Sequence, residues 1–81
     1  MEIDVLLFGA ASTALGTGRV RLALPSPCTA RQALDHLAVH DARLRPFTQA
    51  GRLAVNHRFA QADQAINPGD EVALIAMVSG G

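Results

Sequence analysis

The chain has 81 residues, enough for one domain that buries roughly 60–65% of its unfolded surface on folding. Seven arginines balance seven carboxylates, lysine is absent and the formal net charge is zero, so composition offers no electrostatic footprint for nucleic acid or an anionic membrane. The single cysteine, Cys28, excludes a disulfide framework, an iron–sulfur cluster and a Cys-rich zinc site within one chain.

Hydrophobic residues make up 49% of the sequence, too many for a disordered chain. No basic stretch followed by an apolar one opens it, and no apolar run approaches the ~20 residues that span a bilayer. The expectation is a soluble cytoplasmic protein. The absence of lysine removes Schiff-base chemistry and any internal isopeptide acceptor.

Residues 2–8 begin as an alternating strand, with Ile3, Val5 and Leu7 on one face and Glu2 and Asp4 on the other. That parity sets the apolar Leu6 and Phe8 on the polar face. Gly9 to Gly18 reads as a long loop whose middle, residues 10–15, can form one helical turn. Arg19 to Leu24 alternates again, Val20, Leu22 and Leu24 pointing inward, so the first two strands form a hairpin with a wide connection.

Pro25-Ser26-Pro27 breaks the strand. Thr29 and Gln32 have capping-box spacing and mark a helix start. Ala30, Ala33, Leu34, Leu37 and Ala38 then form an apolar stripe of helical period, ending near His40. Asp41 caps a second short turn ended by Pro46, with Leu44 and Phe47 as anchors. Leu53 to His57 is a short strand, Asn56-His57 a tight turn, and Arg58 to Ala60 a brief return. Gln61 to Ile66 reads as loop. Asn67-Pro68-Gly69-Asp70 is a strong turn signal before the final apolar strand, residues 71–77.

One amphipathic helix and one half-polar sheet bury each other in two layers. The first and last strands are the most apolar and belong side by side at the centre. Because the first pair is a hairpin, the last strand runs parallel to the first. The fold expected is α+β, a β-grasp (ubiquitin-like) domain over residues 1–77, with a mixed four- to five-stranded sheet on one main helix. Residues 78–81 are expected as a flexible Gly-Gly tail.

On the final strand, Val72 and Leu74 face the helix, with Ala76 at the end of that face. Ala73, Ile75 and Met77 then join Leu6 and Phe8 in an apolar patch on the side that ought to be wet. Such a patch commonly marks a partner site, and methionine suits an adaptable one. A shifted register, or cover from the 9–18 loop, is the plainer alternative. Glycine contributes nothing to packing, so Gly80-Gly81 is either a frayed end or an end that enters a narrow site. Four extended residues reach about 13–14 Å, and what they present is the α-carboxylate of Gly81.

Other groups carry less. His36 and His40 share a helix face at metal-ligand spacing, but no further ligand is placed beside them, and a solvated face is expected. Cys28 before a helix start is read as a small structural residue despite the acidifying position. Gly16-Thr17-Gly18 is too short for a phosphate loop. Ser12 and Ser26 have no placed base, so no catalytic set is assembled. The chain is expected to be a non-catalytic carrier or interaction domain, with no bound cofactor or metal.

The segment from Asn67-Pro68-Gly69-Asp70-Glu71-Val72-Ala73 to Val78-Ser79-Gly80-Gly81 resembles the G-D-E-V-A turn and V-[ST]-G-G ending of MoaD-type sulfur carriers, the small subunits of molybdopterin synthase. Ala54-Val55-Asn56 is similar to that family's A-V-N segment, and Leu7-Phe8 with its long following loop also fits. Ala76-Met77 departs from the family's frequent Pro-Pro. The resemblance implies that Gly81 is adenylated by a ubiquitin-activating-like adenylyltransferase using ATP, then converted to a thiocarboxylate. It implies that the sulfur passes to cyclic pyranopterin monophosphate within a complex with the large synthase subunit. Gly80 and Gly81 would be the working end. Phe8 and Ile75 fall where the family has apolar contact residues; with Leu6 and Met77 of the outer-face patch and Val78 and Ser79 of the tail, they are the residues expected to meet the partner. The thiamine sulfur carrier is a related reading, against which the long 9–18 connection speaks. An isopeptide-forming modifier or a plain ubiquitin-like interaction domain are the other classes.

Overall fold

The computed structural model describes residues 1–76. The elements run β1 (Glu2–Leu7), α1 (Gly9–Leu15), β2 (Arg19–Ala23), β3 (Cys28–Thr29), α2 (Ala30–His40), a 3-10 turn (Ala42–Leu44), α3 (Arg45–Ala50), β4 (Gly51–Val55), β5 (Arg58–Phe59), β6 (Ala65–Ile66) and β7 (Val72–Ala76). Five strands form one sheet in the order β2-β1-β7-β4-β5. β1 runs antiparallel to β2 and parallel to β7, pairing Val5 with Val72 and Leu7 with Leu74. This is the β-grasp arrangement, with the first and last strands adjacent and the last at the centre.

Alternation decides what each strand buries. Ile3, Val5, Leu7, Val20, Leu22, Leu53, Val55, Val72 and Leu74 all point to one face and are almost wholly buried. Above them lies α2, which buries Ala30, Ala33 and Leu37. Each buried leucine of this layer contributes about 1.5–3 kcal/mol through apolar area removed from water. The capping box forms in full: Gln32 N–H donates to Thr29 Oγ1 at 3.2 Å, and Thr29 N–H donates to Gln32 Oε1 at 2.9 Å. Two orphan donors of the helix start are thereby satisfied.

The structure departs from the sequence-based expectation at three places. The 9–18 connection holds two turns of helix rather than one, because Ala11 is buried in the core and anchors α1. α1 ends at Gly16, whose φ of +70° lets its N–H reach Ser12 and Thr13 carbonyls. Pro46 opens α3 rather than ending a turn, since the N–H it lacks would be unpaired in a first helical turn anyway. Residues 65–66, expected as loop, are β6 and pair with β3, joining Cys28 to Ile66 and Thr29 to Ala65. Two residues are too few to show alternation. The expected boundary between 77 and 78 falls outside the described residues.

Around the 3-10 turn, Asp41 accepts from Arg43 N–H at 2.9 Å and from its guanidinium at 2.7 Å. These two bonds, side chain first, hold the Asp41 carboxyl down at about 2, against an ordinary 3.8. The Arg43 guanidinium also donates to the Ala14 carbonyl at 3.3 Å and ties α1 to this turn.

Candidate functional site: the outer face of the sheet

The strand registers fix which side chains meet on the face opposite α2. Leu6 is opposite Arg19 on one side and Ala73 on the other; Ala73 is opposite Ala54, and Ala54 opposite Phe59. One row therefore crosses all five strands, and four of its five members are apolar. In the next row Ile75 is opposite Arg52. Phe8 continues the extended backbone of β1 for one residue before α1 begins. Phe8 remains 55% exposed, and Phe59 53% exposed. Arg52 places its guanidinium 4.8 Å from the Phe59 ring centroid, a cation–π contact.

Together these residues line a shallow hollow of about 500 Å³, bounded by Leu6, Phe8, Ala54, Phe59, Ala73 and Ile75. At its rim His57 Nε2 lies 2.8 Å from a Glu71 carboxylate oxygen. No residue of the 9–18 connection lines it, because α1 is drawn to the opposite face by Ala11. The other half of the same sheet face is polar. Arg21 bonds Glu2, and Asp4 lies 3.9 Å from Arg19 and 3.6 Å from Arg21. Such exposed pairs add little stability, but they leave this end hydrated and confine the apolar surface to the end where β7 finishes.

The structure thus brings Leu6, Phe8 and Ile75 together on the outer face. Met77, Val78, Ser79, Gly80 and Gly81 lie outside the described residues. Sequence reasoning missed Phe59 and Ala54. A two-residue return strand carries no alternation of its own, although Phe59 after the Asn56-His57 turn could have been placed by hairpin register.

Two turns frame the hollow. Asn56 and His57 have φ of +52° and +70°, the left-handed pair that a two-residue hairpin turn requires. Asn56 binds across to the other turn: its N–H donates to the Glu71 carbonyl at 2.7 Å, its Nδ2 to Asp70 Oδ1 at 3.1 Å, and its Oδ1 accepts from Glu71 N–H at 2.9 Å. Asp70 in turn accepts from Asn67 N–H at 2.8 Å. The Ala54-Val55-Asn56 and Asn67–Ala73 segments, distant in sequence, are one hydrogen-bonded unit.

Nothing among the described residues forms a metal site: no three of the His, Cys, Asp and Glu side chains converge. Cys28 is 1% exposed, and burial pushes its thiol up from the ordinary range, the opposite of activation. No described helix is long and apolar enough to cross a membrane.

A sequence model of the ThiS family matches residues 5–81. The chain is 32% identical over its whole length to a molybdopterin synthase sulfur carrier subunit of Arabidopsis thaliana, covering 84% of that protein. It is 33% identical, again over its whole length, to the subunit of the same name from Mycobacterium tuberculosis, covering 99% of it. Among solved structures, SAMP1 from Haloferax volcanii superposes with a TM-score of 0.83 at 28% identity, each chain covered completely. A Helicobacter pylori chain, from a complex of subunits 1 and 2 of molybdopterin-converting factor, shares the fold at a TM-score of 0.68 and 17% identity, each chain covered completely.

Proposed function

The chain belongs to the ThiS family, and from that premise we propose that it is a sulfur carrier, the small subunit of a molybdopterin synthase working in the cytoplasm. The observation that carries this reading is the full-length identity of 32–33% to two proteins named molybdopterin synthase sulfur carrier subunit. The apolar hollow supports it, since Ala73 and Ile75 of β7 line it and β7 is the last strand before Gly81 in sequence.

In this reading the protein supplies a carbonyl and its partners supply the chemistry. The Gly81 carboxylate attacks the α-phosphorus of ATP in an adenylyltransferase, releasing pyrophosphate. A persulfide sulfur of a donor then adds to the acyl carbonyl and AMP departs. A second thiol attacks the donor's sulfur in the resulting acyl disulfide, forming a donor disulfide and releasing the thiocarboxylate. In the large synthase subunit that sulfur bonds to a carbon of cyclic pyranopterin monophosphate as the carbon–oxygen bond there breaks and the oxygen leaves with the electron pair. Water hydrolyses the acyl–sulfur bond, and the carboxylate returns. ATP is used by the activating partner, and this chain binds no cofactor of its own. Glycine at the last two positions lets the backbone pass through a narrow entrance without a Cβ. Leu6, Phe8, Ile75 and Met77 would seat the body against the partner, and Val78, Ser79 and Gly80 would thread.

Deletion of Gly81 tests this directly. The truncated chain should keep its circular dichroism and its partner affinity and lose sulfur transfer completely; undiminished transfer would rule the reading out. Intact mass of the protein purified from cells should show a fraction in which one oxygen is replaced by sulfur. Delivery of that sulfur to a thiazole precursor, and not to the pyranopterin, would move the chain to the thiamine reading.

A further inference from the structure

Among the described residues, one charge on the outer face of the sheet is left without a counter-charge, and it stands beside the apolar hollow. On the polar half of that face Arg19 and Arg21 are answered by Glu2 and Asp4. At the rim His57 is answered by Glu71. Arg52 has no described carboxylate within ion-pair distance. It is opposite Ile75 in the β4–β7 register, and its guanidinium lies 4.8 Å from the Phe59 ring centroid. Ile75 and Phe59 both line the hollow.

Stacking on a ring engages the face of a guanidinium and none of its N–H donors, which lie in its plane. The guanidinium hydrogen bonds among the described residues belong to Arg21 and Arg43. Arg52 is exposed, so in the free protein water serves its donors. A partner seated over Ile75 and Phe59 takes that water away. A desolvated charge left unpaired is costly, whereas a carboxylate meeting it through paired, charge-assisted hydrogen bonds offsets the loss. The apolar lining is therefore only half of what a partner must match.

We propose that the partner surface seated on this hollow carries an apolar side chain that packs on Leu6, Ala73 and Ile75 and, beside it, an aspartate or glutamate that pairs with the Arg52 guanidinium. Arg52 is then the specificity-determining residue of the face. It fixes the register of docking and rejects surfaces that are merely apolar or that bring a cation, because either leaves its charge buried and unpaired. Phe59 beneath the guanidinium limits the freedom lost when the pair forms. The inference rests on the sulfur-carrier reading for the identity of its partner, the large synthase subunit, and adds the chemistry by which that partner is recognised.

The test measures the affinity of the full chain for the purified large synthase subunit by titration calorimetry, with circular dichroism as the check on folding. Arg52→Leu removes the charge and keeps an apolar side chain on the face. It should bind about 30-fold more weakly, because the partner's carboxylate is then buried without its cation. Against a purely apolar partner surface the same substitution would leave affinity unchanged or tighten it, and either result overturns the proposal. If Arg52→Leu loses its circular dichroism, Arg52→Gln takes its place and should lose about tenfold. Arg52→Lys keeps the charge and should bind more tightly than Arg52→Gln; equal affinities for these two overturn the proposal. Arg58→Leu changes a residue opposite the inward-facing Val55 and should bind as the parent does, so a loss equal to that of Arg52→Leu also overturns it. Arg52→Glu should abolish binding, and a single Asp→Arg or Glu→Arg change on the large subunit should restore it; restoration by none of that subunit's exposed carboxylates counts against the pairing and overturns it. A parent chain that does not bind the large subunit removes the sulfur-carrier reading and this proposal together. Parent binding with an unaffected Arg52→Leu removes the proposal alone.

Discussion

Asn56 and Asp70 meet through a 3.1 Å hydrogen bond from Asn56 Nδ2 to Asp70 Oδ1, and this contact ties the β4–β5 turn to the turn that launches the central strand. The same asparagine, at φ +52°, also takes the Glu71 N–H. It therefore does two jobs, bearing a left-handed backbone that few residues accept and satisfying a donor beside β7.

The two jobs separate by substitution. Asn56→Ala loses the side-chain bonds and places a Cβ in a left-handed conformation, for an expected loss of about 2–3 kcal/mol. Asn56→Gly loses the bonds but relieves the backbone, and should be about 1 kcal/mol less damaging than alanine. Urea unfolding of the three proteins checks the order.

Gly51 pairs with Ala76 at the last described position of β7. A Cβ built there would collide with the Phe47 carbonyl and lie 2.9 Å from the Ile75 carbonyl. The obstruction is backbone on both sides, so neither neighbour can swing away. Gly51→Ala should cost about 1–3 kcal/mol through overpacking, with amide shifts at Ile75 and Ala76 in an NMR spectrum.

Acid weakens one specific joint. The folded-state carboxyl of Asp41 titrates at about 2, below its ordinary 3.8. A depressed carboxyl contributes stability above the unfolded value and loses it as pH falls through the folded one. The advantage of the parent over Asp41→Ala in thermal unfolding should therefore be full above pH 3.8 and fade by pH of about 2. A constant difference across that window would mean that the Arg43 pairing contributes nothing.

On the outer face, Phe8→Asp and Phe59→Asp should leave the fold intact, because both residues are more than half exposed. Each should weaken binding to the proposed large synthase subunit by about 30-fold, the effect of a central apolar anchor worth about 2 kcal/mol. Titration calorimetry provides the readout. Unchanged affinity for both variants would mean that partners approach another face.

The amino-acid order by itself settled the alternation of β1, β2 and β7, the capped start of α2 at Thr29 and the turns at Asn56-His57 and Asn67–Asp70. Each is a local matter of side-chain period, cap chemistry or tolerated φ, and local causes are readable from neighbours in sequence. Even Leu6 and Phe8 could be put on the outer face by counting parity. What belonged to the tertiary structure alone was which distant residues share a surface. Phe59 and Ala54 complete the hollow only through a register that crosses five strands, and β3 and β6 are strands only because each finds the other. Those relationships arise from long-range pairing, which no window of neighbouring residues contains.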